Sequence, residues 1–178
     1  MEQTEQTTQL ENLIGFLPHA YRDGSHRMIE ENRALFLAAP GSSHNHQAWP
    51  GGYTGHISEC IRIARTLYPA LQTIRAVPFA LDDACMGLFV HDLEKPWKYG
   101  GTPVIDAHTF RLAKLAEYRM TLTPDIENAV RYTHGEGHDY RNDLRVQTPL
   151  AAFVHSCDTI SARIWFDEPQ WSRPSAND

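Results

Sequence analysis

Apolar residues recur at intervals of three and four along most of this chain, which is the spacing of one buried face of an α-helix. One such run covers residues 10–17 and a second covers residues 25–36, and each ends just before a proline or a Pro-Gly pair. The polar, glycine-containing stretch 41–52 that follows is expected to form a loop.

The second half of the chain continues the helical pattern. Residues 54–67 predict a helix capped by Thr54, residues 79–92 an apolar segment that ends at Pro96, and residues 107–120 an amphipathic helix. Two threonine-proline pairs, at 123 and 148, predict the starts of the last two helices. Since no long alternating β-branched segment is present, we predict an all-α fold, a single compact bundle of about six or seven helices.

The length of the chain and its apolar content indicate one domain. It has 178 residues, of which 42% are hydrophobic, enough for one buried core. We expect a helical domain over 9–167, a disordered segment over 1–8 and an irregular tail over 168–178.

Charge and cysteine content narrow the possible classes of function. The net charge of −6 argues against a duplex nucleic-acid binder. The start of the chain lacks the features of a signal peptide, and no apolar run is long enough to span a membrane. Cys60, Cys85 and Cys157 have no paired spacing and lie in apolar stretches, which favours reduced thiols and a cytoplasmic location. Whether the chain forms an oligomer stays open.

Ten histidines are the unusual feature of the composition, and two of them precede an aspartate. About 0.6 His-Asp pairs are expected by chance in such a chain, so the dipeptide alone is a weak signal. His91-Asp92 ends an apolar helix, where both side chains would be costly to bury unless paired or coordinated. Because adjacent helical side chains diverge by about 100°, both reach one metal only at a helix end or a distortion. His138-Asp139 lies in a polar run, where solvent satisfies it.

Other candidate ligands lie on other predicted helices. His56 opens an apolar helix, and Asp158 lies three residues after His155 on the otherwise apolar last helix. His56, His91, Asp92 and Asp158 make a set of two imidazoles and two carboxylates. Such a set suits a divalent Mn, Fe, Ni or Co ion, or Mg, better than a structural zinc site. It also leaves coordination positions for an activated water.

The stretches 44–64, 89–97, 131–140 and 148–163 resemble, in this order, the HD superfamily of metal-dependent phosphohydrolases. They are most similar to the HD domain of bacterial 3′–5′ exoribonucleases, which carries GG-L-x-x-H, HD-x-x-K, HHG and P-x-x-x-A…H-x-x-D elements. The resemblance implies that the four residues above are metal ligands and that His134 and His108 complete a second metal site. Thr133 stands where that branch has the first histidine of HHG.

The remaining candidates are residues that would handle substrate. Lys95 and Arg131 are the predicted phosphate contacts, with Lys98 and Arg111 as weaker ones. Glu94 or Glu136 is a candidate general acid or base. His46 is predicted to face substrate or support a ligand, and His155 to orient a ligand. Each also has an ordinary structural interpretation, as do His134 at a helix end and His108 in a first helical turn.

Three functions are compatible with these residues. The leading hypothesis is hydrolysis of a nucleotide, or a nucleotide-derived phosphate ester, by a metal-activated water, with one or two ions per chain. The first alternative is an HD-fold dinuclear iron oxygenase, and the second is a non-catalytic binding protein that keeps the fold.

Overall fold

A computed structural model describes residues 2–165 of the chain, with side chains from Thr8 onward, so the expected tail over 168–178 lies outside the described residues. The described chain is all helical, without a strand, which confirms the predicted all-α bundle. Its α-helices are α1 Glu2–Gly15, α2 His19–Glu31, α3 Arg33–Ala38, α4 Gly52–Ile74, α5 Leu81–Val90, α6 Lys95–Tyr99, α7 Ala107–Glu117, α8 Pro124–Arg131 and α9 Pro149–Arg163, with a 3₁₀ helix at Gly137–Asp139.

The centre of the bundle is α5, whose residues from Ala84 to Val90 are all buried. Helices α4, α8 and α9 pack around it, and α9 also packs on α4 and α8. Gly87 sits where α5 and α9 approach each other, since a Cβ added there would lie 3.2 Å from Val154 Cγ2. This packing brings the start of α4, the end of α5 and the middle of α9 to one place.

Several boundaries differ from the hydrophobic pattern. The segment 1–8, expected to be disordered, is helical from Glu2 onward, because glutamate and glutamine are good helix formers despite being polar. The predicted helix over 25–36 is two helices, broken at Asn32. Helix α4 continues beyond the predicted end and includes Pro69, finishing at Ile74.

Helix starts show which local signals are reliable. Thr123 and Thr148 accept hydrogen bonds from Ile126 N (3.3 Å) and Ala151 N (3.2 Å), which confirms them as N-caps. Thr54 is not a cap, because α4 already begins at Gly52 and the Thr54 hydroxyl donates to the Phe36 carbonyl instead.

Pro96 does not end the preceding segment as predicted. It lies in the first turn of α6, where proline needs no hydrogen-bond donor of its own. Residues 91–94 form the tight turn that connects α5 to α6.

Gly52 is predicted to be irreplaceable, because a Cβ there would lie 1.9 Å from Gln47 O in the loop over 41–51. We expect Gly52→Ala to destabilise the fold by about 1–3 kcal/mol, the cost of overpacking. The matched control is Gly55→Ala in the same helix, where a Cβ meets nothing within 4 Å. That variant should be stabilised by about 0.5–1 kcal/mol. Urea denaturation of both variants checks the pair, and equal effects would contradict the close approach.

Candidate metal centre

The adjacent residues His91 and Asp92 both reach one point because they lie at a helix end. Helix α5 finishes at Val90 and His91 is its C-cap residue, so the chain turns before Asp92. In this turn His91 Nε2 lies 3.2 Å from Asp92 Oδ2. Both side chains are buried, with exposures of 0% and 2%. The helix-end arrangement required by the sequence argument is therefore the one found.

Two further side chains from α4 and α9 meet this pair. His56 Nε2 lies 3.1 Å from Asp158 Oδ1 and 3.8 Å from Asp92 Oδ2. His91 Nε2 lies 3.6 Å from the same Asp158 oxygen. The structure thus brings together all four residues predicted as core ligands, here called the His/Asp cluster: His56, His91, Asp92 and Asp158.

Hydrogen bonds behind the cluster fix the direction of both imidazoles. His91 Nδ1 lies 2.7 Å from the Leu88 carbonyl, which can only accept, so Nδ1 carries a proton. His56 Nδ1 lies 3.0 Å from Ser161 Oγ, which gives its own proton to Glu59 and therefore accepts from His56. In the neutral tautomers both Nε2 atoms point lone pairs into the cluster.

The cluster is consequently a set of facing acceptors. Buried His91 Nε2 has no hydrogen-bond partner of suitable geometry, although a carboxylate oxygen is 3.2 Å away. Ligand atoms about 2.1 Å from one ion lie roughly 3.0–3.4 Å from each other, close to the shorter separations found here. His56, His91 and Asp158 form a buried group that could hold a metal ion. The donor set fits a divalent cation.

The pKa values of the cluster residues show that its two carboxylates favour a positive charge beside them. Burial lowers the pKa of His91, but Asp92 and Asp158 outweigh burial and raise it to about 10. Burial raises the pKa of Asp92, yet His91, Lys95 and His56 together hold it well below its usual range. The pKa of Asp158 is lowered in the same way, by His56 and His91 against burial. Without a metal ion, a proton on His91 therefore supplies the missing charge.

Lys95, predicted to contact phosphate, lies against the cluster, and its predicted role stays a prediction. Its Nζ is 2.5 Å from Asp92 Oδ2 and also donates to the Gly41 carbonyl. Glu94, a candidate acid or base, is buried and pairs with Arg111, with Nε 2.6 Å from Oε2. Arg111 Nη2 also lies 4.0 Å from Asp92 Oδ1. Lys95 therefore shares Asp92 Oδ2 with the two histidines, while Arg111 approaches the other oxygen, Oδ1.

Of the two histidines predicted for a second metal, one is near the cluster. His134 Nε2 lies 3.8 Å from Asp158 Oδ2, the oxygen that does not face His56, and its side chain is 66% exposed. His108 is not brought together with these residues. Its Nε2 lies 3.5 Å from Glu127 Oε1.

A pocket of about 230 Å³ opens over the cluster, where Asp92 and Asp158 line it. His46 lines it with its ring centroid 4.7 Å from that of His56, and burial, with the charges of His56 and Lys95, lowers its pKa to about 4. His155 also lines it, and its Nδ1 contacts the Thr133 carbonyl, which fixes the ring. Both histidines therefore lie beside the cluster, while the roles predicted for them, contact with substrate or orientation of a ligand, stay predictions.

Other predicted substrate residues lie elsewhere. Arg131 is exposed and pairs with Asp139, with Nη2 3.1 Å from Oδ2. Lys98 is exposed on α6 and is not among the pocket-lining residues. Glu136 accepts a hydrogen bond from Gln147 N and lines a separate groove. Their predicted roles stay predictions that the pocket geometry does not support.

The pocket also contains residues that the sequence argument missed. The exposed residues Arg163 and Asn45 also line it, and the side chain of Arg163 forms no ion pair or hydrogen bond in the described part of the chain. A signal was available for Arg163, because steps of four from His155 reach Thr159 and then Arg163, along one side of α9.

Comparison with known proteins gives no identification. No family model, no curated protein and no solved structure matches this chain. Among the described residues, no helix combines the length and the apolar character needed to cross a bilayer. Cys60, Cys85 and Cys157 are buried and free.

The free energy of unfolding of the metal-free protein, measured in the presence of a chelator, should fall as the pH rises from 7 to 8.5. The pKa of His91 is about 10 in the folded chain and about 6.5 unfolded, so its stabilising proton is fully present below pH 6.5 and is lost on rising through pH 10. The maximum slope is about 1.4 kcal/mol per pH unit.

A saturating divalent metal should remove this decline, because a ligating imidazole is neutral. Urea titrations at several pH values, with chelator and with metal, measure both slopes, and His91→Gln is the control that should flatten the chelator series. Parallel slopes in chelator and in metal would contradict the role of His91.

Proposed function

We propose that this protein is a metal-dependent phosphohydrolase of the HD type that acts on a nucleotide or a nucleotide-derived phosphate ester. The observation that supports it is the His/Asp cluster, of which Asp92 and Asp158 line a pocket. Arg163 also lines this pocket, and its side chain has no ion pair among the described residues. A divalent ion held by His56, His91, Asp92 and Asp158 would supply Lewis acidity and activate water.

The cations of the pocket have different tasks in this proposal. Two of the three Lys95 donors are occupied by Asp92 and the Gly41 carbonyl, so Lys95 mainly keeps Asp92 ionised. Arg163 pairs with none of the described side chains, so its guanidinium would bind a phosphoryl oxygen, whose geometry it matches. His46 stays neutral near pH 7 and can accept or donate one hydrogen bond to substrate.

The size of the pocket limits what it encloses. Sites that enclose a small organic ligand have volumes of roughly 300–1,000 Å³. At about 230 Å³ this pocket would enclose the phosphate end of a substrate and leave a nucleobase at the rim. The proposal therefore expects weak discrimination among bases.

The number of ions is part of the proposal. One ion belongs to the His/Asp cluster, and a second would use Asp158 Oδ2 and His134. His108 would have to leave Glu127 to join it. We place the protein in a reducing, cytoplasmic compartment, supported by its three free buried thiols.

Asp92→Ala should abolish both metal content and phosphate release. The matched control is Asp139→Ala, which removes the aspartate of the other His-Asp pair and should keep both properties. Elemental analysis and a phosphate-release screen on nucleotides measure the outcome, and Asp92→Asn serves if the alanine variant does not fold. Full turnover by metal-free protein would refute the proposal. Iron content with O₂ consumption and no phosphate release would favour the oxygenase alternative.

Arg163→Ala should raise KM for a phosphate substrate about 10-fold or more, because it removes a charged hydrogen bond of about 1.5–3 kcal/mol. Metal content should stay unchanged, since Arg163 does not touch the cluster ligands. Arg131→Ala, the exposed arginine paired with Asp139, is the control and should leave KM unchanged. An equal effect of both variants would contradict the assignment to Arg163.

A further inference from the structure

A chain of hydrogen bonds leads from the cluster to a carboxylate behind it. His56 Nδ1 lies 3.0 Å from Ser161 Oγ, and Ser161 Oγ donates to Glu59 Oε2 over 2.7 Å. Glu59 Oε2 also accepts from Gln47 Nε2 at 2.8 Å. His56 and Ser161 have no exposed surface. We call this chain of His56, Ser161 and Glu59 the relay.

The relay has a single direction. An ionised carboxylate only accepts, so the one hydroxyl proton of Ser161 goes to Glu59. Ser161 then has only lone pairs to offer His56, and Nδ1 must be the protonated ring nitrogen. Its other nitrogen, Nε2, is left as the atom that faces Asp158 and Asp92. The tautomer of His56 is thus set by Glu59 through Ser161.

The location of Glu59 separates it from the reacting groups. It is half-buried and lines a different cavity, between α1, α4 and α9, rather than the pocket over the cluster. It lies one helical turn after His56 on α4, and Ser161 lies one turn after Asp158 on α9. The relay therefore joins the two helices that supply one histidine and one aspartate of the cluster.

We propose that Glu59 and Ser161 are positioning residues of the metal centre, which hold His56 with Nδ1 protonated and Nε2 free for a divalent ion. The inference rests on the metal-binding part of the proposed function. Groups that orient a ligating histidine typically change metal affinity 10–100-fold when removed. The relay acts in the absence of substrate, so its effect appears in binding of the ion alone.

The test is Mn²⁺ titration by calorimetry of the full chain and three variants: Ser161→Ala, Glu59→Gln and the double variant. We expect Ser161→Ala to raise the Kd for Mn²⁺ about 10–100-fold and Glu59→Gln to raise it less. Because both act through one path, the double variant should be no weaker than Ser161→Ala. Ser156→Ala is the control, since Ser156 is exposed on the same helix and donates only to the Ala152 carbonyl. It should bind Mn²⁺ like the parent chain.

Other outcomes separate the relay from the metal centre. Tight Mn²⁺ binding by the parent with less than a twofold change in Ser161→Ala and Glu59→Gln overturns the relay and leaves the metal centre standing. Effects that add in the double variant also overturn it, because they show two independent contributions. A parent chain that binds no Mn²⁺ overturns both proposals together. If Ser161→Ala fails to fold, half-buried Glu59→Gln decides alone, with a raised Kd supporting the relay and an unchanged one refuting it.

Discussion

Two buried carboxylates facing two imidazole nitrogens are the constraint on which the rest of this structure depends. Burying a charge without a partner is costly, and Asp92 and Asp158 are both buried. Lys95 matches one of the two negative charges, while Arg111 is shared with Glu94. One unit of positive charge is still required, and either a proton on His91 or a metal ion supplies it. Folding and ligand binding are therefore linked at this cluster.

The architecture meets this constraint by bringing the start of α4 and the end of α5 against the middle of α9. The end of α5 lets His91 and Asp92 reach the same point, which adjacent residues within a helix cannot do. Helix α4 begins four residues before His56, after the loop whose Gly41 carbonyl holds Lys95. Close packing of α9 on α5 then brings Asp158 within reach of both histidines. The same loop also carries His46, which packs beside His56 and lines the pocket. This loop therefore contributes both to the packing of the fold and to the candidate site.

Much of the fold and the cluster could be predicted from the sequence, because the features that indicate them lie within short stretches of the chain. Apolar periodicity indicates helices directly, and a carboxylate such as Asp158 in an apolar helix signals a buried partner. The partners of long side chains could not be predicted, because a helical pattern does not say which neighbour faces it. Glu94 therefore proved to pair with Arg111 and Arg131 with Asp139, while Arg163 was missed. The relay could not be predicted for the same reason, because Ser161 and Glu59 are 102 residues apart in the sequence.

The local electrostatic field of the pocket differs from that of the whole chain, and this reconciles an acidic protein with the anionic substrate that we propose. The net charge of −6 would repel phosphate at long range, but at 0.15 M salt exposed charges are screened beyond about 8 Å. Inside the pocket, the positions of individual charged side chains affect phosphate binding more than the net charge of the chain does. Lys95 lies beside Asp92 at the floor, and Arg163 stands at the rim. A divalent ion that replaces the proton on His91 would change the sum over the two carboxylates, Lys95 and His91 from 0 to +1. Phosphate affinity should then depend on the metal more than on any single side chain.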